Sequence, residues 1–97
     1  MTEKARIIVV EDDARMANAI ERHLKRHGFD VTTVSTGTEL RRAYRSDGAD
    51  LVLLDLNLGS EDGIDLAREL VRTTSAGVII VTGRDALQDR IAGLDSG

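Results

Sequence analysis

Three continuous aliphatic runs, Ile7-Ile8-Val9-Val10, Leu51-Val52-Leu53-Leu54 and Val78-Ile79-Ile80-Val81, interrupt an otherwise polar chain. Runs without polar alternation mark strands covered on both faces, as in a parallel sheet sandwiched by helices. A fourth stretch, Phe29-Asp30-Val31-Thr32-Thr33-Val34, mixes apolar with polar positions and suits an exposed sheet edge. Between these segments the spacing becomes helical. Ala17, Ile20, Leu24 and His27 fall on one stripe, with Asp12 or Asp13 as N-cap and Gly28 as the stop. Thr36 and Glu39 form a capping box ahead of Leu40, Ala43 and Tyr44, and that helix ends near Ser46-Asp47-Gly48. Ile64, Ala67, Leu70 and Val71 supply a third stripe, and Leu87, Ile91 and Leu94 a fourth.

The order β-α-β-α-β-α-β-α, with right-handed crossovers, predicts an α/β fold: an open parallel sheet with helices on both faces. Two strand orders compete, the flavodoxin-like 2-1-3-4 and the dinucleotide-binding 3-2-1-4. The residues after the first strand, Glu11-Asp12-Asp13, decide between them. They contain no glycine, so neither a G-x-G-x-x-G cradle nor a P-loop is present, and the 2-1-3-4 order is expected.

Composition narrows the function. The 97 residues make one small domain, and without cysteine there is no disulfide framework, zinc knuckle or thiol nucleophile. The net charge of -4 has the wrong sign for a module that holds nucleic acid directly. The apolar runs are far shorter than the ~20 residues a membrane helix needs, and the N-terminus lacks a signal-peptide core, so a cytoplasmic location is expected.

In an open α/β sheet, ligands bind outside the carboxyl ends of the strands. Asp12 and Asp13 follow the first strand, Asp55 ends the third, and Thr82 ends the fourth. Carboxylates gathered within a few ångströms repel one another unless they protonate or share a cation, and an oxygen-only donor set suits Mg²⁺. A carboxylate beside that ion, with a hydroxyl at hand, can act as nucleophile and form an acyl phosphate. Asp55, at the end of a central strand, is the better nucleophile, with Asp12 and Asp13 as metal holders. Metal-assisted hydrolysis of a small phosphate ester shares these acids but needs a substrate pocket. Asp12 and Asp13 also have a plainer role as helix caps. His23 and His27, at i and i+4, could clamp a metal, but no third ligand lies nearby and boundary histidines are common.

The chain resembles the response-regulator receiver domains of two-component signalling. The resemblance rests on Ile8-Val9-Val10-Glu11-Asp12-Asp13, Leu53-Leu54-Asp55-Leu56, Asp62-Gly63, Ile79-Ile80-Val81-Thr82-Gly83 and Ala92-Gly93-Leu94-Asp95-Ser96-Gly97. It implies a phosphoacceptor switch, not an enzyme in the ordinary sense. Asp55 would accept a phosphoryl group from a sensor histidine kinase, and Asp12, Asp13, Asp55 and the backbone carbonyl of Asn57 would hold Mg²⁺. Thr82 would be the switch hydroxyl, and the output would be transcriptional. The family's fifth strand, its lysine and its fifth helix have no counterpart before Gly97, so residues 1–97 are expected to form a C-terminally incomplete receiver domain. Arg84 is the nearest cation to that missing lysine's place. The uncovered fourth strand leads us to expect self-association, and a phospho-independent interaction or dimerisation module is the alternative reading. Gly77 stands where the family often has proline, which should loosen its loop.

Overall fold

The computed structural model describes residues 4–55, 57–58 and 61–81. Its main sheet has four parallel strands, β1 (Arg6–Val10), β2 (Asp30–Val34), β3 (Leu51–Asp55) and β6 (Gly77–Val81), in the order β2-β1-β3-β6. This is the expected 2-1-3-4 order, with the mixed-polarity strand at the edge. Two further strands, β4 (Asn57–Leu58) and β5 (Glu61–Asp62), form a short antiparallel hairpin that apolar periodicity cannot reveal, since each arm holds only two residues. The helices are α1 (Ala14–Arg26), α2 (Gly37–Asp47) and α3 (Gly63–Thr73). The stripe expected at Leu87, Ile91 and Leu94 lies outside the described residues.

Strand alternation divides the core in two. Ile8, Val10, Val52 and Leu54 point to one face and pack with Leu40 of α2 and with Leu66, Ala67 and Leu70 of α3. Ile7, Val9 and Val31 point to the other, where Ile20 and Leu24 of α1 meet them. Four of the five β1 residues are buried, as a strand flanked by strands and helices on every side requires. The stripe of α3 is rotated from the expected one. Leu66, Ala67 and Leu70 face the sheet, while Ile64 and Val71 are exposed.

Local chemistry fixes the helix ends. Thr36 caps α2, its hydroxyl accepting from the Glu39 N–H at 3.1 Å. Glu39 reaches back to accept from both the N–H and the hydroxyl of Ser35, one residue earlier than a simple capping box, and these bonds hold its carboxyl below the usual range. At the sheet's amino end, the Asp50 carboxylate accepts from the Arg6 N–H, and the Asp50 carbonyl accepts from Gly77 N–H at 3.0 Å. A proline at 77 would forfeit that last bond, and an added Cβ would meet Leu51 Cδ1 at 3.2 Å. Gly77 thus lets β6 approach β3 closely at its first residue.

Candidate functional site: an acid cluster at the sheet's carboxyl end

From β1 the chain crosses to β2 on one side and later to β3 on the other, so strand order reverses between β1 and β3. The crevice lies outside their carboxyl ends. In the β1–β3 register Val10 pairs with Leu54, and one further residue along each strand sets Glu11 beside Asp55. Alternation supports the same pairing, because Glu11 continues the face of Ile7 and Val9, and Asp55 that of Leu51 and Leu53. The Glu11 N–H donates to the Val34 carbonyl at 2.9 Å, which anchors this turn to the edge strand as well.

Carboxylate oxygens of Glu11, Asp12 and Asp55 lie within 4.8 Å of one another. Glu11 is buried, Asp55 half-buried and Asp12 exposed. Burial is the main influence on Glu11, raising its pKa from 4.5 to about 7. A hydrogen bond to the Asp55 side chain adds to the rise, and the charges of Asp55 and Asp12 push the same way. Only the Asp13 N–H, donating to Glu11 Oε2 at 3.2 Å, favours the charged form. Both charged neighbours acting on Glu11 are acids, so in the metal-free molecule Glu11 keeps its proton to higher pH than an ordinary glutamate.

The structure places Asp13 and Glu11 differently from the sequence expectation. Asp13 does not turn toward the cluster. Its Oδ1 accepts from the N–H groups of Arg15 at 2.9 Å and Met16 at 3.3 Å, making it the N-cap of α1. Its backbone is extended, so its carboxylate lies over the first helical turn. Glu11 takes the third place in the cluster, and the signal for it was the strand end itself: the residue directly after Val10 reaches the rim first. Asp12 and Asp55 come together as expected. Asn57 lies two residues past Asp55 in the first arm of the β4–β5 hairpin, paired with Asp62. Thr82 and Arg84 lie outside the described residues; β6 reaches Val81, which pairs with Asp55 in the β3–β6 ladder.

Comparison with known proteins identifies the family and agrees with the fold. The model of the response regulator receiver domain matches residues 7–97. The chain is similar to the TorCAD operon transcriptional regulatory protein TorR of Escherichia coli (strain K12), 36% identical over 91 residues, covering 94% of this chain and 40% of that protein. It is 38% identical over 96 residues to the uncharacterized transcriptional regulatory protein YkoG of Bacillus subtilis (strain 168), covering 98% of this chain and 42% of the other. The chain thus spans about two fifths of the length of these relatives. Among solved structures, the receiver domain of the TMAO respiratory system response regulator TorR superposes with a TM-score of 0.83 at 35% identity, covering 96% of this chain and 78% of that one.

Proposed function

Because this chain belongs to the response regulator receiver domain family, we propose that its acid cluster is the Mg²⁺-dependent phosphoacceptor centre of a signalling switch, charged at Asp55 by a partner sensor histidine kinase. The observation that carries this reading is the meeting of Glu11, Asp12 and Asp55 at the topological switch point, from positions far apart in sequence. The donor set fits a magnesium ion: all ligands are hard oxygens, and a divalent cation is the charge that would let buried Glu11 ionise. Glu11, Asp12 and Asp55 would hold it, with the Asn57 carbonyl as a further ligand. When bound, the cation neutralises charge on the attacking and leaving oxygens of phosphoryl transfer.

The chain's own part is positioning and nucleophilic attack. An Oδ atom of Asp55 attacks the phosphorus of a phosphohistidine. The new O–P bond forms as the N–P bond breaks, the leaving imidazole nitrogen keeps the electron pair and takes up a proton from solvent water, and Asp55 becomes an acyl phosphate. Half-burial leaves Asp55 reachable by a donor while its register beside Glu11 fixes its direction. Thr82, the residue that follows Val81 in the sequence, would be the hydroxyl that bonds the phosphoryl oxygens and relays the change. The relatives are transcriptional regulators, so a transcriptional output joined to this domain completes the proposal.

Incubation with acetyl phosphate and Mg²⁺, followed by intact-mass measurement, should give an adduct of one phosphoryl group on the wild-type chain and none on Asp55→Ala. An adduct that survives Asp55→Ala, or a wild type that takes up none, overturns the assignment.

A further inference from the structure

We propose that His23 and His27 form a second metal site, a two-imidazole chelate for late first-row divalent ions, Cu²⁺ above all, at the end of α1 remote from the acid cluster. The two residues are one helical turn apart, both are exposed, and their rings are in edge contact with centroids 4.8 Å apart at 67°. Residues at i and i+4 have Cβ atoms roughly 6 Å apart, close enough for both imidazoles to reach one ion at about 2.0–2.1 Å by side-chain rotation. Both residues are exposed, which leaves room for that rotation.

The backbone beneath the pair is held firmly. Gly28, at φ 88°, closes α1 in the left-handed region, its N–H donating to the Lys25 carbonyl. The Phe29 N–H donates to the Leu24 carbonyl, and both side chains pack in the same core cluster. His27 is therefore not on a fraying end: its own N–H bonds the Leu24 carbonyl at 3.0 Å. A helix with a fixed last turn presents its two imidazoles with little backbone entropy left to lose on chelation.

The absence of a third protein ligand selects the metal. A closed tetrahedral zinc site requires more donors, whereas Cu²⁺ and Ni²⁺ complete a tetragonal shell with water, and imidazole affinity follows the Irving–Williams order. Nearby cations oppose binding, but Lys25 is paired with Glu21 at 2.7 Å, and Arg22 and Arg26 are exposed and screened by salt. The partial negative charge of the helix carboxyl end acts in the ion's favour. The acid cluster, all hard oxygen, follows the opposite preference, and His23 lies nine residues along α1 from its first residue, Ala14, roughly 13 Å of helix rise.

The test is a Cu²⁺ titration of the full chain in excess Mg²⁺, read by calorimetry and electron paramagnetic resonance. One equivalent should bind with coupling to two nitrogens, and His23→Ala and His27→Ala should each weaken binding by about tenfold or more. Both positions are exposed, so the variants should keep the wild-type melting temperature without metal, and Cu²⁺ should raise that temperature only in the wild type. Equal Cu²⁺ affinity in either single variant and the wild type, or a spectrum with one nitrogen or none, overturns the proposal.

Discussion

Asp12 and Asp13 are neighbours with the same side chain, yet the backbone gives them different work. An N-cap sits immediately before the first helical residue in extended conformation, so its carboxylate must turn back over the N–H groups of the next turn. With α1 starting at Ala14, that position is Asp13, and Asp12 is left free to face Asp55. Composition alone cannot separate the two, because the choice depends on where the helix begins, and helix starts are read from sequence only to within a residue or two. Asp13→Ala should therefore lower stability by about 1 kcal/mol, the usual worth of a cap, and leave Mg²⁺ affinity nearly unchanged. Asp12→Ala should do the reverse, weakening Mg²⁺ while costing the metal-free domain little. Urea unfolding and Mg²⁺ titration of the two variants check this, and an Mg²⁺ affinity lost with Asp13 instead of Asp12 would restore the original ligand set.

Elements were legible where their signals were redundant. Three of the four five-residue strands combine an aliphatic run with flanking polar residues, and Gly28 and Gly48 both lie at positive φ just past the helices they end. The α3 stripe was harder, because Ala67 and Leu70 fit both the expected row, with Ile64 and Val71, and the observed one, with Leu66. Which row faces inward is set by how the helix docks on β3 and β6, a tertiary choice its own sequence leaves open. At Gly28 the physics is simpler. A Cβ there would meet nothing within 4 Å, so Gly28→Ala carries no steric clash with other parts of the fold. Its cost is that of holding a side-chain-bearing residue at φ 88°, about 1 kcal/mol. Thermal unfolding should register a drop of that size, and an unchanged or higher melting temperature would mean that the α1 terminus rearranges instead.

At the scale of the whole molecule, the doubly wound topology gathers acids from two distant parts of the chain, and the site makes the stability of the entire fold depend on pH. The gathering could be read from sequence by the strand-end rule; the burial of Glu11 could not, since it depends on β2 and β3 closing around it. Glu11 has a pKa of about 7 folded, above its ordinary 4.5. The folded state thus keeps a proton that the unfolded chain releases between those values. Its stabilising effect is full below about 4.5, declines as pH rises and is gone above about 7, a change on the order of 3 kcal/mol at most. Binding of Mg²⁺ runs the other way, because ligation by Glu11 requires that proton to leave. The expected outcome is that metal-free wild type becomes less stable from about pH 5 to pH 8, that Glu11→Gln flattens this slope, and that stabilisation by saturating Mg²⁺ is larger at pH 8 than at pH 6. Urea unfolding at these pH values, with and without Mg²⁺, measures all three quantities. A wild-type slope no steeper than that of Glu11→Gln would remove Glu11 as the titrating group. An Mg²⁺ effect equal at both pH values would place the ion on Asp12 and Asp55 without it.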